Sequence, residues 1–89
     1  DEAFFSDFVE QKFITMYKLE GIPFTLLQLE HPSIQLRLLR RLAMEIDLVP
    51  SAVQLEAVLR WKPVSGGRLP MTKDFELIFD GQYLSYQKK

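Results

Sequence analysis

The stretch from His31 to Ile46, HPSIQLRLLRRLAMEI, decides how this chain folds. At about 100° per residue, Ile34, Leu38, Leu39, Leu42 and Ile46 fall on one broad apolar side. Arg37, Arg40 and Arg41 gather on the other side, with Met44 among them. Pro32 suits the first helical position, where its missing N–H costs nothing and its fixed φ is already helical. One face seeks a core, and the other offers three guanidinium groups in a compact patch.

Upstream, Phe4, Phe5, Phe8, Val9, Phe13, Met16 and Leu19 recur every three or four residues from Glu2 to about Leu19. That spacing predicts an amphipathic helix, with Gly21 placed to end it. So many aromatics on one helix either serve the core or leave part of the face for a partner. Ile22 to Leu29 reads as a short strand, with Pro23 marking a strand beginning or an edge.

Downstream, Asp47 to Pro50 forms a loop, and Ser51 to Gln54 has capping-box form. The helix that follows carries Ala52, Leu55, Val58 and Leu59 on one side and ends near Arg60 or Trp61. A short connection places the two helices side by side, so Leu38, Leu42, Leu55 and Leu59 should share one core. A Pro/Gly loop, Lys62 to Gly67, leads to a short edge strand at Arg68 to Met71. Phe75, Leu77 and Phe79 then alternate along a strand. Asp80-Gly81 predicts a type I′ hairpin turn, Gln82 to Tyr86 the returning strand, and Lys88-Lys89 a frayed tail. The expected order is α-β-α-α-β-β-β, one small α+β domain with helices on one face of a mainly antiparallel sheet.

Eighty-nine residues support one domain, near the lower limit for a single core without staples. With no cysteine, a disulfide framework and a Cys-based zinc site are both excluded. No apolar run approaches the roughly 20 residues needed to cross a bilayer, so no membrane partner is expected. The acidic start DEAFFSDF does not read as a signal peptide, and a cytoplasmic location is the expectation. The formal charge of −1 excludes a general polycation. Its distribution is uneven: residues 1–31 are acidic, whereas residues 32–89 carry nine Lys and Arg against six acids. A basic face is therefore permitted but not required.

Catalytic chemistry finds no support. Ser65-Gly66-Gly67 has the start of a pyrophosphate loop, but Arg68-Leu69-Pro70 leads into a strand instead of a helix N-terminus. No nucleophile elbow or oxyanion loop accompanies any Ser, His and Asp. Glu45 and Asp47 lie two apart and point away from each other on a helix. His31 lacks a second His or Cys at metal-ligand spacing and reads as a helix-terminus residue. The expectation is therefore no catalytic residue, no metal ligand and no cofactor in these residues. The arginine patch fits phosphate contacts by Arg37, Arg40 and Arg41, with Lys62 or Arg68 added if the loop folds over. Spacing taken alone favours the competing reading, a solvated face on which Arg41 is partly paired with Glu45. Trp61 and the hairpin tyrosines are the candidates for base stacking.

The ordered pair HPSIQLRLLRRLAMEIDLVPSAVQLEAVLRW (31–61) and SGGRLPMTKDFELIFDGQYLSYQ (65–87) resembles the substrate-recognition domain of bacterial tRNA(Ile)-lysidine synthetase. The family has a helix opening at Pro with Arg-x-Leu-Leu-Arg, where this chain has Pro32 and then Arg37-Leu38-Leu39-Arg40 without the intervening residue; both have a second helix opening at Pro-Ser and a Gly-Gly loop running to Leu-Pro before a hairpin. The resemblance covers about Ile22 to Tyr86 and implies that residues 1–21 form a connector helix from a catalytic domain, with 22–89 the recognition domain. It implies a parent ligase that uses ATP, with Mg, to join lysine to the wobble cytidine of an isoleucine tRNA. Its Ser-Gly-Gly-x-Asp-Ser site lies in an N-terminal domain absent here. The implied partners are tRNA and that catalytic domain; Arg37, Arg40 and Arg41 map on the family's basic helix, and Gly66, Gly67 and Arg68 match its loop. One departure concerns the hairpin, where Glu76, Ile78 and Phe79 stand in a region commonly basic. The competing expectation is a protein-interaction or homodimerisation module built on Phe4, Phe5, Phe8 and Trp61.

Overall fold

The apolar side of the central helix, α3 (Pro32–Met44), lies against the rest of the chain, burying Ile34, Leu38, Leu39, Leu42 and Ala43. The computed structural model describes residues 2–89 and the side chains from residue 7 onward, so Phe4 and Phe5 lie outside the described side chains. Around α3 are α1 (Glu2–Met16), β1 (Ile22–Pro23), α2 (Phe24–Gln28), α4 (Ala52–Arg60), β2 (Gly67–Pro70), β3 (Phe75–Phe79) and β4 (Tyr83–Lys88). The strands form one sheet in the order β1-β4-β3-β2, with every neighbouring pair antiparallel. This is the expected α+β architecture.

The register explains how one side of the sheet becomes the floor of the core. Leu77 pairs with Tyr86, Phe79 with Leu84 and Ile22 with Leu84, and all five side chains are buried. They share one cluster with Val9, Phe13 and Met16 of α1, Leu38 and Leu42 of α3, and Leu55 and Val58 of α4. Leu59 is only partly buried against that cluster, and Ala52 is exposed, contrary to the expected face. The Tyr86 hydroxyl donates to the Leu39 carbonyl at 3.2 Å, tying sheet to helix. Burial pushes this phenol well above its ordinary pKa, and it stays protonated.

Local chemistry sets the helix ends. His31 is the N-cap of α3: its Nδ1 accepts from the Ser33 N–H at 3.1 Å, followed by Pro32 in the first turn. Ser51 and Gln54 form the capping box of α4, and the Gln54 side-chain amide also donates to the Met71 carbonyl. Beyond α3, Asp47 takes a left-handed φ of 57°, and the Leu48 N–H returns to the Ala43 carbonyl at 3.0 Å. The same carbonyl also accepts from the Ile46 N–H at 3.1 Å, and the reversal folds Leu48 into the core.

Four local expectations are corrected. α1 stops at Met16, and Leu19 sits fully exposed on a tight turn closed by reciprocal Lys18–Gly21 backbone bonds of 2.8 and 2.9 Å. The strand expected over Ile22–Leu29 lasts two residues before α2 begins; Pro23 is the N-cap, and the Phe24 N–H still donates to the Gln82 carbonyl. In the hairpin only Gly81 has positive φ, at 104°, while Gln82 does not, so the turn has the type II′ pattern with glycine first. Asp80 caps it, its Oδ1 accepting from the Gln82 and Tyr83 N–H groups at 2.8 and 2.7 Å. Finally, the C-terminal lysines are not frayed: Lys88 pairs with Phe75, and the Lys89 N–H donates to the Asp74 carbonyl at 2.8 Å.

Candidate nucleic-acid interface

The polar side of α3 faces away from the sheet, and one edge of it meets α1. Between the two helices lies a shallow depression of about 250 Å³ lined by Val9, Glu10, Arg37, Arg40, Arg41 and Met44. The structure thus gathers the three expected arginines in one place. Arg37 and Arg40 are exposed there, and Met44 is exposed beside them. Among the described residues no carboxylate forms an ion pair with Arg40.

Arg41 behaves differently. Its Nε and Nη2 donate to the two oxygens of Glu10 at 2.7 and 3.1 Å, and its Nη1 donates to Glu45 at 2.5 Å. The guanidinium also lies 4.5 Å over the Phe13 ring, and only 24% of the side chain is exposed. Arg41 is thus paired with Glu45, as the solvated-face reading had it, and with Glu10 as well. The Glu45 contact was legible as an i,i+4 pair. Glu10 was not, because it comes from α1, brought in when Val9 and Phe13 dock on the core.

These pairs have a pH signature. The hydrogen bond from Arg41 holds the Glu10 carboxyl below its usual 4.5, with the Arg41 charge reinforcing this and burial partly opposing it. A carboxyl depressed in the folded state contributes stability above its ordinary value, and loses it as pH falls through the depressed one. Arg41 is raised further above its already high value by Glu10 first and Glu45 second, so it never titrates in this window. The expected result is that Tm falls with acidification below about pH 4.5 more steeply in the native chain than in Glu10→Gln. Parallel acid profiles of the two proteins in a thermal melt would contradict this.

The loop does not fold over the patch. Lys62 is exposed beyond α4 without an ion pair among the described residues, but neither it nor Arg68 lines the depression. Arg68 lies on β2, the sheet edge furthest from β1, and its Nη1 donates to Glu76 at 2.5 Å. Arg68 pairs with Ile78 and Pro70 with Glu76, so the two charges are diagonal neighbours on the sheet face opposite Leu77 and Phe79. Glu76 is buried and held by Arg68 across the two strands. The Gly66 and Gly67 N–H groups donate to the Phe79 and Val64 carbonyls, both at 2.8 Å, leaving no amide cradle for phosphate.

The stacking candidates also change. Tyr86 is buried, and Trp61 is half-buried against the core, close to Gly67. Tyr83 is half-buried on the hairpin. Tyr17, not singled out by the sequence pattern, is partly exposed and stacked on Phe13 with centroids 4.9 Å apart. On the other side of α1, Phe8, Leu26 and Leu29 border a depression of about 350 Å³, bridged by a 2.9 Å Lys12–Glu30 pair. Among the described residues no group of three His, Cys, Asp or Glu is placed to hold a metal ion. No helix among them is long and apolar enough to cross a membrane.

Fold and surface together define a small α+β domain with an arginine-bearing helix face. No family model matches the chain, and neither a curated protein nor a solved structure gives a match.

Proposed function

We propose that this chain is a non-catalytic RNA-positioning domain that grips tRNA through α3, as the recognition domain of a lysidine-forming, ATP-dependent ligase does. The observation that carries the reading is the exposure of Arg37 and Arg40 one turn apart on a single helix face, beside Arg41 in one depression. Residues three apart on a helix lie about 5–6 Å apart at Cβ, so the pair suits neighbouring phosphate oxygens on one strand. Contacts of this kind orient a nucleic acid without reading its sequence. The formal charge of −1 keeps the affinity modest. Lysine, ATP and Mg would belong to a catalytic domain of the parent chain, in the cytoplasm.

The test is a titration of labelled tRNA with the native chain and with the double variant Arg37→Ala/Arg40→Ala. Both side chains are exposed, so the fold should survive, as circular dichroism would verify. The double variant is expected to bind at least about tenfold more weakly. Equal affinity would remove this face from the mechanism.

A second reading is favoured by one observation, the exposed apolar rim of Phe8, Leu26 and Leu29 on the far side of α1. It makes the chain a protein-interaction or homodimerisation module. Sizing chromatography separates the two: a concentration-dependent dimer without affinity for tRNA supports this one. Trp61 contributes little to it, being packed on the core.

A further inference from the structure

We propose that Glu10, backed by Glu45, stands on Arg41 where a phosphate would stand, so that an incoming polyanion must compete with two built-in carboxylates for the third guanidinium of α3. This inference rests on the RNA-positioning reading and names how that site is regulated.

Carboxylate and phosphate oxygens accept the same two-pronged hydrogen bonds from a guanidinium. Glu10 already uses that geometry, with its two oxygens 2.7 and 3.1 Å from Arg41 Nε and Nη2. Glu45 takes a third N–H at 2.5 Å. Both carboxylate side chains remain substantially in solvent, at 41% and 37% exposure. Pairs this open are weak and exchange readily with a competing anion. Arg41 also lines the depression shared with Arg37 and Arg40, so a strand held by those two passes beside it. The Phe13 ring beneath keeps the guanidinium in place when a carboxylate leaves. Because Glu10 belongs to α1 and Arg41 to α3, the exchange also loosens one tie between those helices.

The experiment compares tRNA binding by the native chain with Glu10→Gln/Glu45→Gln, each with and without Arg41→Ala, at several salt concentrations. Glutamine keeps the shape and removes the charge. The Gln variant is expected to bind about three- to tenfold more tightly, with a salt slope steeper by about one, the signature of one added phosphate contact. Arg41→Ala should then cost several-fold more in the Gln background than in the native one. Loss of two negative charges would raise affinity in any case, so this difference is the decisive readout. An equal loss in both backgrounds, or no gain from glutamine, overturns the competition. Glu45→Gln alone guards against a folding defect, since Glu45 lies beside Arg41 just beyond the end of α3 and its removal leaves the α1 contact intact. It should give part of the gain, and no gain with an intact fold counts against the proposal. If neither native nor variant chains bind tRNA, the RNA-positioning reading fails, and the competition fails with it. Binding that ignores the glutamines overturns the competition alone.

Discussion

Gly21→Ala is expected to destabilise the domain by about 3 kcal/mol or more, seen as a large fall in the urea midpoint. Gly21 closes the turn that carries the chain from α1 into β1, at a φ of 125° that side-chain-bearing residues rarely adopt. Its Cα also lies so close to β4 that an added Cβ would sit 2.0 Å from the Leu84 carbonyl oxygen and 3.1 Å from the Ser85 Cβ. The first obstacle is backbone in the sheet, which cannot yield as a flexible side chain would. Relief would require β1 to separate from β4, and β1 has only two residues with which to hold on. A midpoint shift worth less than about 1 kcal/mol would mean that this edge is looser than described.

Leu38→Ala should be comparably damaging, at about 2–5 kcal/mol. Leu38 has no exposed surface and sits at the centre of the face that α3 turns to the shared core. Truncation leaves a cavity there, and α1, α4 and the sheet are joined to that core through their own buried residues. A domain of this size has roughly 5–10 kcal/mol in total, so a large fraction of the chain would unfold on modest warming. Val49→Ala supplies the contrast: Val49 is 86% exposed, and its loss should change stability by less than about 0.5 kcal/mol. Similar melting curves for the two variants would contradict the placement of α3.

What could be read in advance follows from the range of the interactions. The 3.6-residue period of Ile34, Leu38 and Leu42, Pro32 at the first turn and the Ser51–Gln54 capping box are local signals, and they placed α3 and α4. The hairpin was legible from Asp80-Gly81, although the positive φ falls on Gly81 and not on a pair of central residues. Ile22–Leu29 misled because a short apolar run does not distinguish a strand from a buried helical turn. At the candidate site the same rule applies. Helical spacing put Arg37, Arg40 and Arg41 together, but Glu10 lies 31 residues from Arg41 in sequence and arrives only through the docking of α1. The Arg68–Glu76 pair depends on the β2–β3 register, which no local pattern supplies.

The central claim is that α3 holds a polyanion by its exposed arginines, with Arg41 held back by carboxylates. Its most direct test is the slope of log K against log salt concentration for tRNA binding to the native chain and to Arg37→Ala/Arg40→Ala. Each phosphate contact contributes somewhat less than one unit of slope, so the double variant should lose about one and a half to two units. An unchanged slope in the double variant would contradict the account.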